Sequence, residues 1–314
     1  MNQFNHSFKK FGWNVVWADA TDPASIEKAI TEKTKAIFCE SIANPGGVVI
    51  DLPALGAIAK KAGIPLIVDN TLATPYLCRP KEHGADIVVH SLTKFIGGHG
   101  NSIGGILVDC GTFDWLNAKH RYKTLVEPNE SYNGMKLAET FGDFAFAIAA
   151  RVMGLRDIGP AIAPMNAFLI LTGSETLPLR MQRHSMNALA VADWLEKHPK
   201  VDWVSYAGLP SSPYHDLQQK ICPKGAGAVM TFGLKGGYEA GVKLVSSLNL
   251  FSHLANIGDT RSLIIHPAST THRQLTDEQR IAAGAGPDVV RLSVGIEDKD
   301  DIIADLEQGL AQVA

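Results

Sequence analysis

Three short polar clusters carry the side chains that could do chemistry. They are Glu40-Ser41-Ile42-Ala43-Asn44-Pro45, Asp69-Asn70-Thr71 and Ser91-Leu92-Thr93-Lys94. Each follows a short apolar run. If those runs are neighbouring strands of an α/β sheet, the clusters meet in a crevice at the strands' carboxyl ends, where such sheets bind ligands. They would offer one ligand carboxylate, amide and hydroxyl groups and a single primary amine. A lysine at a strand end is ordinarily a solvated surface residue. Lys94 differs in its neighbours. Ser91 and Thr93 precede it closely, and Phe95-Ile96-Gly97-Gly98-His99-Gly100 follows, a glycine-rich turn that lets backbone approach a ligand.

The elements that must position these residues are legible in the first half of the chain. Asp22-Pro23 opens a helix with an oxygen-bearing cap and a proline at the first helical position, and Ile26, Ala29 and Ile30 form its apolar stripe. Asp51 caps a second helix, in which Leu52, Leu55, Ile58, Ala59 and Ala62 share one face and Gly63 is placed to end it in a left-handed conformation. Residues 35–39, 64–68, 87–89 and 103–108 read as short buried strands. Such strands, separated by helices, predict a mostly parallel sheet covered on both faces. Residues 134–200 are mostly helical in pattern. Beyond Val201 shorter strands alternate with helices, one of them over 239–249, and 283–287 reads as a mobile loop. This places a large α/β domain over 1–177 and a smaller α+β domain over 178–314.

Bulk properties exclude several classes. The 314 residues are 46% hydrophobic and 19% charged, with a net charge of -3, so there is no clustered basic excess of the kind nucleic acids require. No apolar run reaches the length of a membrane span, and the first ten residues do not read as a secretory signal. Four dispersed cysteines, Cys39, Cys78, Cys110 and Cys222, fit reduced thiols in a cytoplasmic protein. His83, His90 and His99 are irregularly spaced and no H-E-x-x-H occurs, so no metal site is expected. Gly98-His99-Gly100 and Gly104-Gly105 match neither glycine-rich nucleotide motif.

The stretch DIVVHSLTKFIGGHG, Asp86 to Gly100, resembles the pyridoxal 5'-phosphate (PLP) attachment signature of the Cys/Met-metabolism family at every defined position. The segments ESIANPGG, VDNTLATPYL, NAFLILTGSETLPLRMQRH, RSLIIHPASTTH and VRLSVGIED resemble family segments in the family's order. The stretch GDTRSLIIHPASTTH and the insert around DCGTFDW are most similar to the branch that acts on O-acetylhomoserine. The resemblance implies a PLP-dependent transferase fold (aspartate aminotransferase-like, fold type I). It implies γ-replacement on O-acetyl-L-homoserine by sulfide or a thiol, giving homocysteine or methionine and acetate. The alternatives are a γ-lyase, a cystathionine γ-synthase-type enzyme, or a truncated, catalytically impaired family member.

Under this resemblance Lys94 is the amine that forms a Schiff base with the cofactor aldehyde. Asp69 is the carboxylate beside the protonated pyridine nitrogen, although a strand-end Asp also serves as a helix cap. Ser91 and Thr93 would donate to the cofactor phosphate, although their hydroxyls also suit plain turn chemistry. Asn44 would contact the cofactor's phenolic oxygen or the substrate; an Asn-Pro turn explains it equally well locally. Arg291 matches the arginine that grips the substrate carboxylate, and Ser262 matches a position near it; without the resemblance, a lone strand arginine reads as an edge ion pair. Family members form homotetramers built from dimers. The resemblance starts at residue 1, and the family's N-terminal phosphate loop, ring-stacking aromatic, and tyrosine and arginine lent to a neighbouring subunit have no counterpart in these residues. A chain lacking them is expected to bind the cofactor weakly.

Overall fold

The computed structural model describes residues 3–45, 47–118 and 120–313. The first sheet is built from β1 (Ile37–Glu40), β2 (Leu66–Asp69), β3 (Ile87–Ser91) and β4 (Gly105–Asp109), in that spatial order. The pairs β1–β2 and β2–β3 are parallel and in register, with Glu40 opposite Asp69. Both caps read from the sequence form. Asp22 accepts from the Ala24 amide to start the helix Pro23–Ala29, and Asp51 accepts from the Ala54 amide to start Leu52–Ala62. Gly63 closes the second helix at φ 64°, a conformation that costs a side-chain-bearing residue steric strain.

The sheet is mostly parallel, as expected, and the fourth strand is its exception. β4 pairs with β3 antiparallel, Ser91 opposite Gly105. The chain between them forms the lysine turn and the glycine-rich turn, not the crossover helix a parallel return requires. Its apolar residues Ile106, Leu107 and Val108 are 46%, 41% and 41% exposed, so strand apolarity alone did not foretell burial here. Phe38 of β1 is likewise exposed.

The second sheet has the order β5-β6-β9-β8-β7, formed by β5 (Val201–Ser205), β6 (Val229–Leu234), β7 (Ser252–His253), β8 (Leu263–Ile265) and β9 (Val289–Ser293). All neighbours are antiparallel except β7–β8. The two sheets fall on either side of the boundary expected at 177/178. One apolar cluster nonetheless runs through both, from Leu55, Val68 and Phe95 to Met181, Leu195, Phe232, Leu292 and Leu306. The helix Leu177–Glu196 supplies its middle. The helix read over 239–249 spans Gly237–Ser247. In the stretch 283–287, Ala285 is fully buried. All four cysteines are free and buried, and burial pushes the Cys39 thiol up to about 12. Among the described residues no helix is long and apolar enough to cross a membrane.

The C-terminal helix Lys299–Ala311 holds the second sheet's loop through one carboxylate. Buried Asp305 accepts from the amides of Asn249, Leu250 and Phe251, with distances of 2.9–3.2 Å. Asp305→Ala strands those donors and is expected to lower unfolding stability by about 2 kcal/mol, measurable by urea denaturation.

Candidate active site

Glu40, Asp69 and Ser91 are the last residues of β1, β2 and β3. Parallel pairing therefore delivers them to one edge, where a crevice of about 180 Å³ is lined by Glu40, Ile42, Asn44, Asp69, Thr71, Leu72, Ser91, Lys94 and Ile257. A larger hollow of about 280 Å³ lies around Gly111–Leu116 and Asp143. Among the described residues it presents two aspartates and aromatic rings packed on one another, with no amine, and its size is no argument for chemistry.

Lys94 enters the crevice from a turn over Leu92–Ile96 that leaves the helical path at Lys94 itself, φ -90° and ψ -134°. The Gly97 amide donates to the Leu92 carbonyl at 3.0 Å and the Gly98 amide to the Lys94 carbonyl at 2.7 Å. The lysine ammonium donates to the side-chain oxygen of Asn256. Burial, and then the positive charge of Arg291, hold Lys94 below the usual lysine range.

One oxygen of Asp69 accepts from both the amide (3.0 Å) and the hydroxyl (2.5 Å) of Thr71. The Thr71 hydroxyl oxygen in turn accepts from the Ser91 amide at 2.8 Å, tying the β2 and β3 ends together. Beneath them Ser41 donates to the Asn70 side chain at 2.7 Å, and Asn70 donates to the Cys78 carbonyl at 2.9 Å, so the buried polar floor is hydrogen-bonded. Burial pushes the Glu40 carboxyl up, opposed by the Asn44 amide that donates to it and reinforced by the charge of Asp69.

Arg291 comes from the middle of β9 in the second sheet. It donates to the Asn44 side chain and to the Asn256 carbonyl, both at 3.2 Å, which fixes its guanidinium at the crevice rim. Burial lowers its pKa.

The structure thus brings Asn44, Asp69, Ser91 and Lys94 into the crevice and Arg291 to its edge. Thr93 and Ser262 are placed elsewhere. The Thr93 hydroxyl is engaged by the backbone of Gly104, donating to its carbonyl at 3.3 Å and accepting from its amide at 3.1 Å. Ser262 is fully buried; its hydroxyl donates to Glu297 at 2.9 Å and accepts from the Gly295 amide at 2.8 Å. Asn256, which joins Lys94 to Arg291, was missed in the sequence. Nothing near it signals a partner 162 residues earlier in the chain.

An amine below its usual pKa, a carboxylate braced by two donors, and amide and hydroxyl groups in one crevice suit an aldehyde-bearing pyridine cofactor. The comparisons agree with that chemistry. The Cys/Met metabolism PLP-dependent enzyme family matches residues 1–311, and the chain belongs to this family. It is 51% identical over 321 residues to an O-acetyl-L-homoserine sulfhydrylase of Leptospira meyeri, covering 99% of this chain and 72% of that one. It is 50% identical over 310 residues to a homocysteine synthase of Schizosaccharomyces pombe, covering 98% of this chain and 72% of that one. A crystal structure of a protein described as an O-acetylhomoserine (thiol)-lyase from Campylobacter jejuni, containing N'-pyridoxyl-lysine-5'-monophosphate, superposes with a TM-score of 0.93 at 42% identity. That match covers 99% of this chain and 74% of the other.

Proposed function

We propose that this chain carries out PLP-dependent γ-replacement on O-acetyl-L-homoserine, with sulfide or a thiol displacing acetate. The observation that carries the reading is the crevice where Lys94, Asp69 and Asn44 converge under Arg291, in a chain about half identical to O-acetylhomoserine sulfhydrylases. When bound, PLP supplies an electron sink for charge that develops on an amino acid's carbons.

The chain's own residues supply the rest. Lys94, with its lowered pKa, presents a larger neutral fraction near pH 7 than an exposed lysine does, so Nζ can act as a nucleophile and then take and return protons. The Asp69 carboxylate, oriented by Thr71, offers a negative charge to a ring nitrogen. Ser91, at the end of β3, offers a hydroxyl to the phosphate. Thr93, its hydroxyl engaged by the Gly104 backbone, fixes the turn that carries Lys94 and leaves the phosphate to Ser91. Arg291 receives the substrate carboxylate, with Asn44 holding one guanidinium nitrogen in place. Ser262 supports this end from behind, through Glu297. In this arrangement the chain divides functionally at 177/178, the cofactor residues before it and the carboxylate-binding residues after it. Homotetramers are what the family resemblance implies; outward-facing Met165, Phe168 and Leu171 offer an apolar surface for self-association of some kind, and the free buried thiols support a cytoplasmic setting.

The direct test supplies O-acetylhomoserine and sulfide to the PLP-loaded protein and follows homocysteine and acetate by chromatography. Release of a 2-oxo acid from methionine would instead identify a γ-lyase, and condensation with cysteine a cystathionine γ-synthase-type enzyme.

Arg291→Ala is expected to raise the KM for the amino-acid substrate by roughly tenfold or more, the value of one charge-assisted pair, while the absorbance of bound PLP is retained. It also removes a positive neighbour from Lys94. The Lys94 pKa should therefore rise, moving the ascending limb of the pH–rate profile to higher pH. Loss of cofactor with an unchanged KM would contradict the assignment.

A further inference from the structure

We propose that Arg180 is a positioning residue: it clamps the backbone that follows Lys94 and so sets how the amine reaches into the crevice. The proposal rests on Lys94 being the reacting amine.

Arg180 lies on the helix Leu177–Glu196 and is 5% exposed. Its Nη1 donates to the Phe95 carbonyl at 2.6 Å, and its Nη2 to the carbonyls of Ile96 (3.0 Å) and Gly173 (2.7 Å). Nε donates to the Thr176 hydroxyl at 3.0 Å. None of these acceptors is a carboxylate. Removing a guanidinium from water without a counter-ion is costly, and an apolar side chain would fill such a site at less cost. What the charge provides instead is a planar fork aimed at successive peptide carbonyls, a geometry that a flexible side chain with one ammonium does not reproduce. Two of those carbonyls belong to the residues immediately after Lys94, where the turn departs from helical geometry.

The contacts around the turn make the clamp two-sided. A Cβ on Gly98 would lie 2.3 Å from Arg180 Nη1, so the guanidinium rests directly on the glycine turn. On the other side Gly258, at φ +75°, approaches the Lys94–Phe95 peptide so closely that a Cβ there would lie 2.5 Å from the Phe95 nitrogen. The Thr260 amide donates to the Gly98 carbonyl at 2.8 Å. One helical turn beyond Arg180, the buried His184 ring meets the Phe95 ring edge-on, with centroids 5.2 Å apart. The backbone from Lys94 to Gly98 is therefore held between the Arg180 guanidinium and the loop that carries Asn256, the acceptor of the Lys94 ammonium.

The test compares the unsubstituted 314-residue chain with Arg180→Met and Arg180→Lys, and uses Asp305→Ala as a variant destabilised away from the turn. The pH dependence of Lys94 acetylation is read by peptide mass spectrometry on the chain without cofactor, with exposed Lys60 as internal reference. Pyridoxyl incorporation at Lys94 is read after PLP addition and borohydride reduction, at equal folded fraction. In Arg180→Met we expect the Lys94 profile to move toward that of Lys60 and pyridoxyl incorporation to fall about tenfold, as for loss of one charge-assisted hydrogen bond. Arg180→Lys should recover part of both, and Asp305→Ala should change neither. A Lys94 profile and incorporation unchanged in folded Arg180→Met would overturn the proposal. So would failure of both Arg180 variants to fold while Asp305→Ala folds, since that assigns Arg180 to stability alone. Pyridoxyl absent from Lys94 in the unsubstituted chain would refute the lysine assignment itself, and the acetylation profile would still decide the role of Arg180.

Discussion

Lys94→Ala is expected to remove the pyridoxyl group recovered after borohydride reduction and to lower turnover at least about a thousandfold, roughly 4 kcal/mol at the transition state. Among the described residues Lys94 is the one lysine lining the crevice of β-strand ends, and its ammonium is steered there by Asn256. Removing it eliminates both a nucleophile and a proton carrier, and among the described residues the lining offers no second amine. Lys94→Arg keeps the positive charge but not the chemistry, because a guanidinium stays protonated at any working pH. It should therefore fail to rescue turnover. Peptide mapping of the reduced, PLP-loaded protein is the decisive measurement, and a pyridoxyl mass on a different lysine would sink the assignment.

Asp69→Ala is expected to cost at least about a hundredfold in turnover, roughly 2.7 kcal/mol. The carboxylate sits at the end of β2, bonded to the amide and hydroxyl of Thr71, so its position is fixed before any ligand arrives. Its neighbour in register, Glu40, is a poor substitute, since it stands on the adjacent strand and its carboxyl is engaged by the Asn44 amide. Asp69→Asn should preserve the bonds to Thr71 and the fold while losing the charge. A rate close to that of Asp69→Ala would then show that charge matters here and hydrogen bonding does not. Normal turnover in either variant would refute the electron-sink role.

The sequence by itself determined the features that depend on neighbours in the chain. Asp22, Asp51 and Gly63 act within one turn of where they stand, and their caps formed as read. The apolar runs that precede Glu40, Asp69 and Ser91 needed only parallel pairing to bring those residues together, and short strands joined by helices pair that way. The attachment signature singled out Lys94 among the chain's lysines because its residues are contiguous.

Tertiary structure alone decided the rest. Thr93 and Ser262 carry hydroxyls as available in sequence as that of Ser91, yet Gly104 takes the first and Glu297 and Gly295 the second. Which partner a hydroxyl meets depends on packing, and its own neighbours do not encode it. The direction of β4 followed from how the chain between it and β3 was used. Asn256 and Arg180 reach the lysine turn from 162 and 85 or so residues away, through a loop and a helix whose placement the shared apolar core fixes. Contacts of that span arise when two sheets and the helix between them bury one continuous apolar surface. That burial is a collective property of Leu55, Phe95, Met181, Phe232 and their neighbours, and no local pattern of residues states it.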